Sequence, residues 1–240
     1  MIYARKSVVG GDLIGFDTDL SVIGAFQIVE NGVTELMAKL KIDGITAKKL
    51  YNAMWVYTKN RIKRIKPVHW GEEYTVESFI TGFSLVKLNI ETAIRNSKGE
   101  IAVYSKTELC ALDLETGRIR KTSTVGVDDK IEKEQSLMEV AFTKFGDTAF
   151  SQAERAIVRS TNIDFCRHTN NVEYVRFMLN TYSVEELEKR PIREIEVCYV
   201  NQSFENDELQ ICKSSDHERD ILKIKKEDKT VVDCEILREA

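Results

Sequence analysis

The feature that most constrains the fold is an order of elements that occurs twice: one amphipathic helix, followed by a series of strands. In the first half, apolar residues recur at three- and four-residue spacing from Phe26 to Leu40, which predicts a helix over residues 20–40. Gly32 lies inside this pattern, so we expect close packing against another backbone there. From residue 54 to residue 114 the apolar period changes to two, which predicts antiparallel strands. The predicted turns lie at 67–73, 96–99 and 115–117.

The second half repeats this order after a charged, irregular segment, 126–152, which we interpret as a linker. A short strand near 156–160 comes first, and the apolar spacing of Val172, Val175, Leu179 and Tyr182 predicts the helix that follows it. Further strands are predicted at 192–201, 208–213, 221–225 and 231–237. The repeated order predicts an α+β protein with two domains, 1–125 and 153–240, each a helix wrapped by an antiparallel sheet. Such a chain is a pseudo-dimer.

Composition excludes several classes of protein. The 240 residues are 42% hydrophobic and 31% charged, as is typical of a folded globular protein. The longest apolar runs are far shorter than the roughly 20 residues of a membrane helix, and the first residues lack an export-signal pattern, so we expect a cytoplasmic protein. The net charge of −4 disfavours nucleic-acid binding. Five cysteines without a CxxC pair argue against disulfides and a zinc site, and we expect no metal or cofactor.

The residues best suited to chemistry lie in TNIDFCRHTNNVEY, which spans 161–174 directly before the second helix. Asp164 precedes His168 by four positions, a spacing at which a carboxylate can fix the tautomer of an imidazole. Hydrolysis of a thioester needs an activated water and an oxyanion donor, whereas a thiol with a pKa near 8.5 leaves with little help. His168 suits the base, and amides near Asn170 and Asn171 suit the oxyanion. The alternative for both asparagines is helix capping alone.

At these positions the sequence resembles the acyl-acyl carrier protein thioesterases of plants and bacteria. At the positions of their signature, Asp-x-Asn-x-His-x-Asn-Asn-x-x-Tyr, this chain has Asp164, Cys166, His168, Asn170, Asn171 and Tyr174. The segment 54–78 is similar to the aromatic strand and Trp-Gly-acidic turn of the same family. The resemblance implies two tandem hot-dog domains, with the acyl chain held in the first domain beside the predicted helix and catalysis in the second. It also implies an acyl carrier protein (ACP) as partner and a monomer or homodimer.

Two positions of the family pattern differ in this chain. The resemblance assigns the catalytic Asp and His to Asp164 and His168, but it places Cys166 where the family has Asn. Gln202, expected in the strand before a turn, stands where the family has Glu. An amide cannot take a proton, so Gln202 can only orient a water, and Glu205 is its rival for the acidic role. Cys166 is either a small replacement for Asn or a nucleophile activated by the nearby histidine.

A basic run and the two remaining histidines complete the candidates. The run includes Arg61, Lys63, Arg64 and Lys66 and contains no acidic residue. It can steer an acidic carrier protein, or it can protect an exposed strand against edge pairing. His69 and His217 lie in a turn and a polar loop, where we expect solvated side chains without a catalytic role.

Two other functions remain open at this point. The first is an acyl-CoA thioesterase, which would differ in its partner surface rather than in the chemistry of Asp164 and His168. The second is an acyl-binding or regulatory hot-dog protein without catalysis, which the changes at Cys166 and Gln202 suggest. Because both Asp164 and His168 are retained, we favour an enzyme that releases fatty acids.

Overall fold

The computed structural model describes residues 1–146, 148–150 and 152–239. The chain separates into two compact units, Met1–Val140 and Ala141–Ala240. The boundary between them lies inside the segment that we interpreted as a linker. Each unit combines one central helix with its own antiparallel strands.

The N-terminal unit is a helix packed on a sheet whose strand order is β1-β3-β4-β5-β2, with β6 added to β5. All of these neighbours are antiparallel. The strands are β1 (Ile2–Val8), β2 (Ala53–Arg64), β3 (Glu73–Phe83), β4 (Leu88–Arg95), β5 (Ile101–Asp113) and β6 (Ile119–Arg120), and the helices are α1 (Val22–Lys39) and α2 (Gly44–Tyr51). A 3-10 turn, Thr122–Val125, follows β6.

The predicted helix over 20–40 is confirmed as α1. Close packing occurs at Gly32, but the nearest atoms belong to side chains and not, as we had expected, to another backbone. A Cβ atom at this position would lie 2.6 Å from Ser78 Oγ and 3.0 Å from Val76 Cγ2, both on β3. These separations are shorter than ordinary van der Waals contact, so only glycine fits without a shift of its neighbours. The helix therefore lies close against β3 at Gly32.

The C-terminal unit repeats this architecture, with strand order β8-β11-β10-β9-β7 and antiparallel neighbours throughout. Its strands are β7 (Gln152–Ile157), β8 (Ile192–Tyr199), β9 (Glu208–Asp216), β10 (Arg219–Lys226) and β11 (Lys229–Arg238), and its helices are α3 (Asn171–Leu179) and α4 (Val184–Lys189). The apolar face of α3 is buried through Val172, Tyr174, Val175 and Met178. A helix laid on an antiparallel sheet in each unit is the hot-dog arrangement, so the predicted fold class is confirmed.

The structure also contains elements that the sequence did not predict. Strand β1 has no fully buried side chain, and α2 buries only Ala47, so neither produces a strong apolar period. Residues 84–87 separate β3 from β4, at a place between 54 and 114 where we predicted no turn. None of the helices in the described residues is long and apolar enough to cross a membrane.

The first part of the interpreted linker belongs to the N-terminal unit. The backbone N–H of Glu134 donates to the carbonyl oxygen of Ile80 over 2.8 Å. Ser136 Oγ and the N–H of Leu137 both donate to the carboxylate of Glu91, over 2.6 and 2.9 Å. Glu91 is fully buried, and a buried carboxylate is costly unless its oxygens are satisfied. This first part of the segment is irregular, as predicted, but it packs against the first unit and is not a flexible linker.

Candidate active site

The residues before α3 form a three-residue hairpin that carries the candidate histidine. The N–H of Asp164 donates to the carbonyl oxygen of His168 over 2.9 Å, and the N–H of Arg167 donates to the carbonyl oxygen of Asp164 over 3.0 Å. Ile163 and Thr169 pair on either side as an isolated antiparallel bridge. Arg167 has φ 63°, the left-handed conformation that such a loop needs at its last position. The hairpin places His168 two residues before the cap of the helix.

Asp164 acts on the backbone of this hairpin. Its Oδ1 atom accepts hydrogen bonds from the N–H groups of Cys166, at 2.8 Å, and His168, at 3.2 Å. Within the described residues there is no hydrogen bond between the Asp164 carboxylate and the His168 imidazole. The expected fixing of the tautomer is therefore absent, because the carboxylate oxygen is turned to the amides of its own loop. Asp164 orders the backbone that carries His168.

A buried hydroxyl network fixes the hairpin to the segment 200–207 that follows β8. Thr169 donates its N–H to the carbonyl oxygen of Ser203 over 2.9 Å, and Thr169 Oγ1 lies 2.7 Å from Ser203 Oγ. The hydroxyl of Tyr174 lies 2.8 Å from Ser203 Oγ and accepts the Ser203 N–H over 3.0 Å. Burial raises the pKa of Tyr174, so the phenol remains a neutral hydrogen-bonding group. The motif tyrosine thus holds the two loops together.

The ring of His168 lies against Phe204. Their centroids are 5.2 Å apart with an interplanar angle of 70°, an edge-to-face contact. Phe204 is itself held by its N–H, which donates to Asp207 Oδ2 over 2.8 Å. The half-buried imidazole forms no hydrogen bond or ion pair with the described residues, so its nitrogens can engage a water. Within the same residues no group of three or more His, Cys, Asp or Glu side chains is arranged for a metal ion.

The two asparagines have different positions at the start of α3. Asn170 is the N-cap, and its side chain accepts the N–H of Val172 over 2.8 Å, as in the capping alternative. Asn171 is the first helical residue and is half-buried. Neither its backbone N–H nor its carboxamide has a hydrogen-bond partner among the described residues. Asn171 is therefore the residue of the pair that can donate to a developing oxyanion.

Gln202 and Glu205 lie in the loop after β8, since the strand ends at Tyr199. This corrects the expectation that Gln202 would lie in a strand. Both side chains are exposed and form no hydrogen bond with described residues. The aromatic ring of Phe204, located between them in sequence, contacts His168 instead. Cys166 is half-buried within the hairpin loop itself.

The basic run does not form a continuous exposed surface. Arg61 is only 8% exposed, so its place in a docking surface is wrong. Arg64 is half-buried and its Nη2 donates to the carbonyl oxygen of Leu20 over 3.2 Å. Lys66 forms an ion pair with Glu100 at 2.5 Å. Arg61 and Arg64 lie on β2 and are packed there, which the charge pattern alone did not reveal.

These features define a protein with two hot-dog units, in which the hairpin that carries His168 directly precedes α3. Residues 147–238 match the family model described as acyl-ACP thioesterase C-terminal domain. The C-terminal unit is therefore similar to the C-terminal domain of the acyl-ACP thioesterases. No curated protein sequence matches the chain significantly.

Solved structures confirm the fold over the whole chain. An acyl-ACP thioesterase from Bacteroides thetaiotaomicron superposes with a TM-score of 0.92 at 16% identity, covering 99% of this chain and 98% of that chain. A 12:0-ACP thioesterase from Umbellularia californica superposes with a TM-score of 0.83 at 16% identity, covering 99% of this chain and 97% of that one. At these identities the likeness establishes the tandem hot-dog fold.

Proposed function

We propose that this protein hydrolyses the thioester of fatty acyl-ACP to a free fatty acid and ACP. The observation that carries the proposal is the hairpin 163–169, which presents an imidazole without a hydrogen-bond partner among the described residues, close in sequence to the first free donor of α3. The family match of residues 147–238 covers this hairpin and supports the reaction class. The N-terminal unit would hold the acyl chain, as the family resemblance implies.

The arrangement suits direct attack by water. A nitrogen of His168 accepts a proton while the water oxygen bonds to the thioester carbonyl carbon. The N–H and carboxamide of Asn171 donate to the oxyanion, a contribution of roughly 100- to 1000-fold per donor. The C–S bond then breaks, and the departing thiolate takes the proton from the imidazolium. The edge contact with Phe204 restricts rotation of the imidazole ring during both transfers.

The other motif residues have supporting roles in this proposal. Asp164 is a positioning residue, because it holds the amides of Cys166 and His168. Cys166 is a loop residue rather than the nucleophile, since water attack needs no covalent intermediate. Gln202 is exposed and cannot take a proton, so His168 alone supplies the base.

The test is fatty-acid release from matched acyl-ACP and acyl-CoA series by the wild type and two histidine variants. His168→Ala should lower kcat by about 100-fold or more, as expected for the loss of a general base. His217→Ala is the matched control, because the His217 side chain is 97% exposed, and its rate should equal the wild-type rate. An unchanged rate in His168→Ala would overturn the proposal.

The same measurement separates the alternatives. Equal use of ACP and CoA thioesters would indicate an acyl-CoA thioesterase of broader partner range. Tight acyl binding without turnover would indicate a binding protein, a possibility that the changed positions Cys166 and Gln202 keep open.

A further inference from the structure

The N-terminal unit contains, between β1 and α1, a hairpin with the same backbone geometry as the hairpin that carries His168. The N–H of Gly15 donates to the carbonyl oxygen of Asp19 over 2.9 Å, and the N–H of Thr18 donates to that of Gly15 over 3.2 Å. Thr18 has φ 61°, against 63° for Arg167 in the other unit. These are the bonds and the conformation of the C-terminal hairpin, position by position. Asp19 therefore occupies the place of His168.

The loop that supports the hairpin is repeated as well. Leu20 donates its N–H to the carbonyl oxygen of Val68 over 2.8 Å, as Thr169 does to Ser203 in the other unit. The next residue, His69, donates its N–H to a side-chain oxygen of Glu72 over 3.0 Å. Phe204 makes the equivalent bond to Asp207. His69 thus occupies the place of Phe204.

Where the C-terminal unit pairs an imidazole with a phenyl ring, the N-terminal unit pairs a carboxylate with an imidazole. His69 Nδ1 lies 2.5 Å from Asp19 Oδ1. The Asp19 side chain is 21% exposed and that of His69 is 66% exposed, so the carboxylate is sheltered and the ring is open to solutes. Because Nδ1 faces the carboxylate, Nε2 is the nitrogen that can accept a proton from water. This oriented pair is the feature that His168 lacks.

Donors and apolar surface lie on the same loops. Ser21 caps α1 by accepting the N–H of Gly24, which leaves the N–H groups of Val22 and Ile23 without partners among the described residues. Phe16, in the hairpin loop, is 50% exposed, and Trp70, next to His69, is 63% exposed. Exposed aromatic side chains of this size can cover an apolar group of a ligand.

We propose that Asp19 and His69 form a second hydrolytic centre, which acts on acyl thioesters of small thiols. His69 Nε2 takes a proton from water as the water oxygen bonds to the carbonyl carbon. The C–S bond then breaks, the electron pair leaves with sulfur, and the thiolate takes the proton from the imidazolium. The acyl group contacts Phe16 and Trp70. This centre goes beyond the function proposed above, because it uses neither His168 nor the C-terminal unit.

The test uses the full chain carrying His168→Ala, with His168→Gln as a second background. Thiol release is measured from butyryl- and octanoyl-pantetheine. A residual rate above the uncatalysed one should remain, and adding His69→Gln should lower it by about 100-fold. Glutamine can still donate to Asp19, so the loop and the thermal midpoint should be kept. Adding His217→Ala instead should leave the residual rate unchanged.

Asp19→Asn tests the positioning role, because it should lower kcat of the residual reaction by about 10-fold or more while KM changes little. The absence of a residual rate in both His168 backgrounds, or a residual rate insensitive to His69→Gln, would overturn the second centre. The two proposals fail separately. If His168→Ala leaves hydrolysis intact while His69→Gln removes it, the result contradicts the function proposed for the C-terminal unit and supports the second centre.

Discussion

Asp164 is held in contact with two backbone amides, so the shape of its side chain should matter more than its charge. Asparagine retains an oxygen that can accept both N–H groups, whereas alanine leaves them without an acceptor. We expect Asp164→Asn to keep kcat within about 10-fold of the wild type and Asp164→Ala to lose more, with a lower thermal midpoint from a cost of about 1 kcal/mol. The measurement is steady-state thioester hydrolysis with parallel thermal unfolding.

A contrary result would change the role of this residue. In a triad where a carboxylate orients the base directly, the Asp-to-Asn change costs about 10⁴-fold in kcat. A loss of that size in Asp164→Asn, with an unchanged thermal midpoint, would show that the charge acts on the His168 imidazole during turnover.

Tyr174 should contribute mainly to stability through its hydroxyl. In Tyr174→Phe the buried N–H of Ser203 loses its acceptor, which should lower the free energy of unfolding by about 1–3 kcal/mol. The matched control is Tyr3→Phe, whose hydroxyl donates to Glu35 at a partly exposed site and whose loss should cost less. Urea unfolding followed by circular dichroism measures both variants. Equal losses of free energy of unfolding in the two variants would show that burial of the hydroxyl network does not increase the contribution of Tyr174 to stability.

The sequence was sufficient to find the candidate residues between 161 and 174, but not to predict the hairpin that they form or to assign its contacts. The spacing of Asp164 and His168 fits a carboxylate that binds either the ring or the backbone, and only the turn geometry distinguishes the two. Ser203 and Phe204 were missed because they reach the hairpin from another loop, and no local pattern marks such a contact. The pairing of Asp19 with His69 was missed for the same reason, since the two residues come from loops that are distant in sequence.

Among the elements, α1 offers the sharpest test of packing. Gly32→Ala gains about 1 kcal/mol of helix propensity but places a methyl group 2.6 Å from Ser78 Oγ. We expect a net loss of about 1–3 kcal/mol in the free energy of unfolding, because overpacking displaces the helix from β3. Asn31→Ala, on the exposed face of the same helix, should be neutral or slightly stabilising.

A second substitution identifies the cause of the Gly32 effect. Ser78→Gly in the Gly32→Ala background removes the clashing hydroxyl, so the double variant should lose less stability than the two single variants added together. Strict additivity would mean that the cost comes from elsewhere in α1.

Helices and strands were predictable from the sequence where their buried apolar side chains recur at a regular spacing. The long helix α1 buries residues along its whole length, and in β10 buried side chains alternate with more exposed ones, so both periods are visible. The short helix α4 buries no residue, and polar side chains occupy both faces of β1. Elements that are held by edge pairing or by their caps leave no apolar period, and for this reason they were missed.

At the scale of the whole molecule, the two units can be followed separately. Both tryptophans, Trp55 and Trp70, lie in the unit Met1–Val140, so tryptophan fluorescence reports on that unit alone. Circular dichroism reports on both units. Two transitions that do not coincide would therefore assign a separate stability to each unit, and a single free energy of unfolding would then not apply to the chain.

Acid should weaken the N-terminal unit, and Glu72 should account for part of the loss. The Ser97 hydroxyl, together with the N–H groups of His69 and Ser97, holds the pKa of Glu72 below its usual value. A carboxyl group whose pKa is lowered by folding adds stability above its unfolded pKa, about 4.3, and this stability is lost as the pH falls through the lower folded value. We therefore expect the urea midpoint from tryptophan fluorescence to drop between about pH 5 and pH 3.

Glu72→Gln should be less stable than the wild type at pH 7 but should lose less on acidification, so the two curves should converge near pH 3. Glu139→Gln is the control, because Glu139 is exposed and has no hydrogen-bond partner among the described residues. Its curve should run parallel to the wild-type curve. If the Glu72→Gln curve runs parallel as well, the carboxylate does not link folding of this unit to proton binding. Convergence would show that the loop next to His69 is held in part by the charge of Glu72.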